Sequence, residues 1–359
     1  MTDQRPTSPP PAPQQAPPPQ PAAPQYPPPW WVHPPKRSSF VGRFFRVLLL
    51  LLFVLSVLLN IELTVLLAGR WAGGMASSVL DDGKSDQIVA VYAVAGMIDG
   101  EAAQAFQQFC RVVRDDKKIK AVVLRIDSGG GGVSASDQIQ EAVRAIREKL
   151  GKPVVVSMGG VAASGGYYIA APADEIYAEP TTVTGSIGVI AAWPVLQKLM
   201  DKWGIEFVTI RSTHAEDWKA KANFWETPDD KTIKNYKDML DTMQERFEQV
   251  VIAGRGDRLQ RAKQPDEDRP AGARHAPFNG KIYTADEARQ IGLVDEIGYL
   301  MDAANAAARL ANLSDPKVVQ YSRRPALLTE LLAKAETPKL DAKLLDEWSS
   351  PRILMLWRP

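Results

Sequence analysis

Ser164 stands in the run Gly159-Gly160-Val161-Ala162-Ala163-Ser164-Gly165-Gly166-Tyr167-Tyr168-Ile169-Ala170, one hydroxyl among small and apolar residues. The apolar run from Val154 to Met158 before it reads as a buried strand, and the residues after it can start a helix. A serine on a tight turn between strand and helix has its hydroxyl pushed out of the fold. Backbone N–H groups at the helix start then face charge developing beside it, which suits a nucleophile of acyl transfer. The other use of a serine at such a place is as a helix N-cap. A second stretch, Asp127-Ser128-Gly129-Gly130-Gly131-Gly132, follows a strand and precedes a helix. It lacks the Lys-Ser/Thr of a nucleoside-triphosphate loop, and no acidic ribose partner follows at the end of the next strand. Glycines there expose backbone instead: an extended peptide can lie close, and their N–H groups can help to hold an oxyanion.

The elements that must position these residues read in order from Ile88. A buried strand over 88–94 precedes a helix with apolar positions at Phe106, Phe109 and Val113. A strand over 121–126 runs into the glycines, a helix over 136–150 follows, and the third strand begins at Val154. This alternation argues for a parallel α/β layer, in which neighbouring strand ends converge at one edge and bring the glycine run beside Ser164. Short strands are expected at 176–178, 188–190 and 206–210, an amphipathic helix over 232–255, and an Ala-rich helix closing the domain over 297–313.

Composition narrows the classes. The 43 Lys+Arg against 42 Asp+Glu imply no nucleic-acid-binding field. A single cysteine, Cys110, excludes an internal disulfide framework and a cysteine-based metal site, and its place in a helical pattern marks a structural thiol. His33, His214 and His275 lack metal-ligand spacing, so no metal and no cofactor is expected. Residues 1–35 carry 15 of the 28 prolines and read as a disordered tail. Residues 36–68 combine a basic flank (Lys36, Arg37, Arg43, Arg46) with the apolar run from Val47 to Ala68, whose 22 residues suffice to cross a bilayer. The basic flank puts the N-terminal side in the cytoplasm and the bulk of the chain outside it. A cleavable signal peptide ending near Leu67-Ala68-Gly69 is the rival reading; the long preceding tail favours a retained anchor. Residues 69–87 read as a linker, 88–313 as the folded domain and 314–359 as a C-terminal extension, ending in the short apolar run from Ile353 to Trp357.

Four separated motifs resemble the signal peptide peptidase A (protease IV) family. They are Asp127-Ser128-Gly129-Gly130-Gly131, Ala163-Ser164-Gly165-Gly166-Tyr167-Tyr168, Thr184-Gly185-Ser186-Ile187-Gly188-Val189, and Gly280-Lys281-Ile282-Tyr283-Thr284 running on to Gly298. The resemblance implies an α/β Clp/crotonase-type fold preceded by a single transmembrane helix. It also implies a membrane-anchored serine peptidase, signal peptides or other extended apolar peptides as substrates, and a homo-oligomeric ring. Ser164 then matches the nucleophile, Gly165, Gly130 and Gly131 the oxyanion donors, and Ser186 the serine that orients the base. Gly129 stands where the family carries proline.

The family's base is a lysine with a lowered pKa, able to accept the serine proton. The matching stretch here is Ile210-Arg211-Ser212-Thr213-His214-Ala215-Glu216-Asp217-Trp218-Lys219-Ala220-Lys221, in which Glu216 occupies the lysine position without gaps. Three readings stay open. A shift in the loop brings Lys219 or Lys221 to Ser164; His214 serves as base with Asp217 orienting it; or the chain holds no base, takes one from a neighbouring subunit, or only binds peptides.

Overall fold

The computed structural model describes residues 40–71, 74–259, 276–324 and 352–356. The chain divides into two compact units, residues 1–64 and 65–359. The first holds most of helix α1 (Phe40–Trp71). Within it, 44–62 has a mean hydropathy of 2.6 and is long and apolar enough to cross a membrane. Its polar groups turn inward along the helix: Asn60 Nδ2 donates to Ser56 O at 2.7 Å and Thr64 Oγ1 to Asn60 O at 2.6 Å. Such local bonds let a polar side chain sit in an apolar span. The Pro-rich tail expected over 1–35 lies outside the described residues.

The second unit is built on a parallel sheet. Its elements are β1 (Gly74–Asp81), β2 (Lys84–Ile98), α2 (Gly100–Asp115), β3 (Ile119–Gly132), α3 (Val133–Leu150), β4 (Val154–Ala163), α4 (Gly165–Ala170) and β5 (Glu175–Ala178). Then come β6 (Val183–Gly185), β7 (Ile190–Ala192), α5 (Gln197–Lys202), α6 (Asp230–Arg255), β8 (Ile282–Thr284), α7 (Ala285–Gln290), β9 (Glu296–Ile297), α8 (Leu300–Leu310), β10 (Pro316–Arg324) and β11 (Arg352–Leu356). The strand order is β1-β10-β2-β3-β4-β5-β9, parallel throughout except for β1 on the edge.

Period-two alternation sorts the side chains to two cores. Val89, Val91, Ala121, Val123 and Val155 pack on the alanines of α8. Tyr92, Val122, Leu124, Ile126 and Val156 face α2, α3 and α4. Both faces of the central strands are covered, which is why they read as unbroken apolar runs. On α2, Phe106 and Phe109 are spaced to share one face and are wholly buried, with Phe109 stacked on Tyr92 at 4.8 Å. Burying each such ring contributes about 1.5–3 kcal/mol. Asp99 starts that helix by accepting from Ala102 N at 2.9 Å, and Gly151, at φ 63°, ends α3. Cys110 lies half-buried on α2, and burial pushes its thiol up to about 12.

Several expectations are corrected. The stretch read as a linker over 69–87 contains β1 and the start of β2, because β1 finds an antiparallel partner in β10, distant in sequence. The strand expected at 206–210 does not form: Phe207, Val208 and Ile210 are 53%, 74% and 91% exposed, and among the described residues no strand pairs with them. The strand expected at 188–190 begins instead at Ile190. The glycine run is not a loop but the end of β3. Residues 260–275 and most of the extension after residue 324 lie outside the described residues. Of the apolar run near the end of the chain, Arg352–Leu356 is a strand on this domain's own sheet.

Candidate active site

Strand β4 runs to Ala163 and α4 begins at Gly165, so Ser164 alone makes the turn. Its backbone sits at φ 53°, ψ −116°, in the left-handed half of conformational space, and its N–H donates to Gly185 O at 2.8 Å. The residue is 1% exposed, and its Oγ donates to Gly188 O at 3.4 Å. A non-glycine residue in such a conformation stores about 1–3 kcal/mol of strain, and such strain clusters at functional sites. The expected strained turn between strand and helix is present, but the hydroxyl expected to be pushed out of the fold is enclosed.

The glycines around it are required by contact between backbones. A Cβ on Gly166 would stand 2.7 Å from Ser128 O. One on Gly130, whose φ is +103°, would stand 2.7 Å from Gly165 N, and one on Gly165 would stand 3.2 Å from Gly130 Cα. The end of β3 and the start of α4 therefore touch, as the convergence of strand ends requires. The N–H of Gly130 is taken: it donates to Ser128 Oγ at 3.0 Å, and that hydroxyl donates to Gly96 O. Of the three glycines expected as oxyanion donors, Gly130 is thus beside Ser164's turn with its N–H turned to Ser128.

Ser186 is brought to the same place by its turn. Gly185 and Ser186 both have positive φ, 85° and 50°, and β6 pairs with the end of β4, with Gly185 opposite Ala163. Ser186 N donates to Lys281 O at 2.8 Å, so the turn is clamped between the Ser164 backbone and the segment leading into β8.

The base candidates are not gathered there. Lys219 is exposed, with its carbonyl accepting from Arg211 Nε at 2.7 Å, and Lys221 is half-buried. Both line a cavity of about 520 Å³ with Trp218, Asn223, Trp225 and Tyr236, and Ser164 is not part of its wall. Among the described residues no hydrogen bond joins either amine to Ser164. His214 is exposed on a single 3-10 turn, and Glu216 is exposed directly after it.

Some neighbours had no signal in the sequence. Ser136, on the first turn of α3, is fully buried. Its Oγ lies 2.6 Å from where a Cβ on Gly165 would stand, with no hydrogen-bond partner among the described residues. Behind the turn, Tyr168 OH donates to Asp137 Oδ1 at 2.6 Å, and Arg246 donates to the same oxygen at 2.7 and 2.9 Å. Burial and the Asp137 carboxylate push the Tyr168 hydroxyl pKa up, so it stays a donor. This network ties α3, α4 and α6 behind Ser164. The helical spacing of Asp137 and Arg246 places each on a face, but only the fold makes those faces meet.

Comparison with known proteins agrees with the fold. The model of peptidase family S49 matches residues 146–314, and that of the Clp protease matches residues 85–183, which fits the parallel α/β layer described above. Protease 4 of Haemophilus influenzae is 33% identical over 240 residues, covering 65% of this chain but 36% of that longer protein. The chain thus spans about a third of that relative's length. A putative signal peptide peptidase SppA of Enterococcus faecium is 30% identical over 258 residues, 69% of this chain and 70% of its own length. A putative protease of Synechocystis is 33% identical over 63% of this chain and 75% of its own length. A solved ClpP1 mutant from Listeria monocytogenes superposes with a TM-score of 0.36 at 16% identity, over 61% of this chain and 95% of its own, too distant to bear on the site. Relatives this similar, matched over more than two thirds of their length, show that the chain belongs to peptidase family S49, the signal peptide peptidase A family.

Proposed function

We propose that this chain is a membrane-anchored serine endopeptidase that cleaves extended apolar peptides, residual signal peptides among them, through an acyl-enzyme on Ser164. The observation that carries the reading is the strained turn at Ser164, with the glycines of β3 packed against Gly165. Ser164 Oγ attacks the peptide carbonyl carbon as its proton passes to a base. The resulting oxyanion is received by backbone N–H groups of Gly165 and Gly131, the Gly130 N–H being held by Ser128, and each good donor contributes about 3–4 kcal/mol to the barrier reduction. Collapse expels the amine with that proton, and water then hydrolyses the ester by the same route in reverse. Lys219 or Lys221 is the base, with Ser186 orienting it.

Helix α1 is the anchor, and the basic residues before and in its first turns put its N-terminal side in the cytoplasm and the peptidase domain outside. A homo-oligomer is supported by the apolar side chains the domain leaves in solvent: Trp203, Val208 and Ile210 are 72%, 74% and 91% exposed. One observation favours a second reading, a peptide-binding relative with impaired catalysis. Glu216 stands where the family's lysine matches, and neither Lys219 nor Lys221, which line a separate cavity, is bonded to Ser164.

Fluorophosphonate labelling and peptide cleavage separate the two. Labelling of the assembled protein that is lost in Ser164→Ala, with cleavage lost in Lys219→Ala or Lys221→Ala, supports the peptidase and names its base. Loss in His214→Ala moves the base to that residue. A wild type that neither labels nor cleaves overturns the peptidase in favour of the binding relative.

A further inference from the structure

Ser136 carries a buried hydroxyl beside the candidate active site that the reaction outlined above leaves unused. It stands in the first turn of α3, just after β3 ends at Gly132. The residue is 0% exposed, and its Oγ has no hydrogen-bond partner among the described residues. A serine inside a helix ordinarily turns its hydroxyl to solvent or to the carbonyl one turn back. Ser136 does neither. Its hydroxyl reaches across to α4 and stands 2.6 Å from where a Cβ on Gly165 would be, in the space that the missing side chain leaves. The carbonyl oxygen of Met355, 3.1 Å from the same point, is not bonded to it.

A donor buried without an acceptor costs stability, because the water it gave up is not replaced. Such a group calls for a function, and a donor next to Gly165 has an obvious one. The N–H of Gly165 borders the place where the carbonyl oxygen of a bound peptide gains charge. On the β3 side that place is short of donors, since the Gly130 N–H is committed to Ser128 Oγ at 3.0 Å. The other hydroxyls around the turn are committed too. Ser128 Oγ donates to Gly96 O, Thr184 Oγ1 to Ala162 O at 2.6 Å and Tyr168 OH to Asp137 Oδ1 at 2.6 Å. Of these hydroxyls, that of Ser136 alone keeps its proton free to give to an incoming acceptor. Its burial also keeps water from competing for the bond, which makes a fixed donor more effective.

We propose that Ser136 Oγ is a side-chain donor of the oxyanion site, giving a hydrogen bond to the carbonyl oxygen of the bound peptide beside the N–H of Gly165. It makes up for the Gly130 N–H that Ser128 holds. The proton stays on Ser136 throughout, and no covalent bond to this residue forms or breaks. The proposal rests on the peptidase reading of Ser164. It is tested on the full-length protein in detergent, with a quenched fluorescent peptide of leucine-rich core as substrate. Alanine favours the helix and removes an unpaired donor, so Ser136→Ala should fold with its Tm unchanged or raised. Its kcat and its rate of fluorophosphonate labelling should fall about tenfold or more, with KM held within about twofold. In a Ser164→Ala background, Ser136→Ala should bind the same peptide as tightly as the chain with Ser136, because the bond strengthens only as the oxygen gains charge.

Equal rates in Ser136→Ala and in the unsubstituted chain overturn the proposal and leave the peptidase reading standing. A loss of rate that comes with a Tm lowered by more than about 3 °C, or with matching weaker peptide binding, also overturns it and makes Ser136 a packing contact. An unsubstituted chain that neither labels nor cleaves overturns the peptidase reading, and this proposal with it.

Discussion

Ser164 keeps a backbone conformation that disfavours a side chain because its surroundings fix it from several directions. Its N–H is bound to Gly185, its carbonyl accepts from Tyr168 N at 2.9 Å, and its side chain is enclosed. The glycines beside it are equally constrained. Gly130→Ala would set a Cβ against Gly165 N in a residue already at φ +103°. The expected cost is about 1–3 kcal/mol, read as a lowered Tm, together with slowed fluorophosphonate labelling. Gly160→Ala is the control: its nearest contact is 3.7 Å away, and its Tm should hardly move. The need for glycine at these places was legible from the run itself. Which N–H groups face the reaction was not, because the turning of Gly130 N–H to Ser128 depends on Ser128 also reaching Gly96 on β2.

Among the elements, α6 is locked to the far strands by a buried ion pair. The Arg255 side chain is fully buried, donating to both oxygens of Asp295 at 2.7 and 2.9 Å and to Gly292 O at 2.9 Å. Asp295 in turn accepts from Ile176 N on β5 at 2.8 Å. Removing one partner of such a pair leaves an uncompensated buried charge. Asp295→Ala is expected to destabilise the domain by about 3–5 kcal/mol, measured by urea unfolding, while Asp295→Asn, which keeps an oxygen acceptor, should lose less. Helices and central strands were legible because their apolar spacing repeats. The stretch 206–210 has the composition of a strand and is none, since a strand exists only where another offers it an edge.

For the whole molecule, the anchor and the exposed apolar surface belong to different units. The span of α1 is decided by length and hydropathy alone. The surface at Trp203, Val208 and Ile210 is visible only once folding has left it uncovered. If that surface joins copies of this chain, Ile210→Asp should shift sedimentation in detergent towards smaller species and leave the circular dichroism unchanged. An unchanged distribution would remove the surface from the assembly.

By itself the sequence determined the parallel α/β layer, the apolar span, and the meeting of a serine turn with a glycine strand. All of these follow from local periodicity and from residues whose backbone freedom or lack of side chain is needed in place. Tertiary structure decided the rest: that the glycines end a central strand, that residues 352–356 pair with that end, that Asp137 and Arg246 brace α4, and that both candidate lysines stand in a separate cavity. Those are contacts between positions up to more than two hundred residues apart. Nothing in local spacing encodes which distant edge a strand will find or which cavity an amine will line.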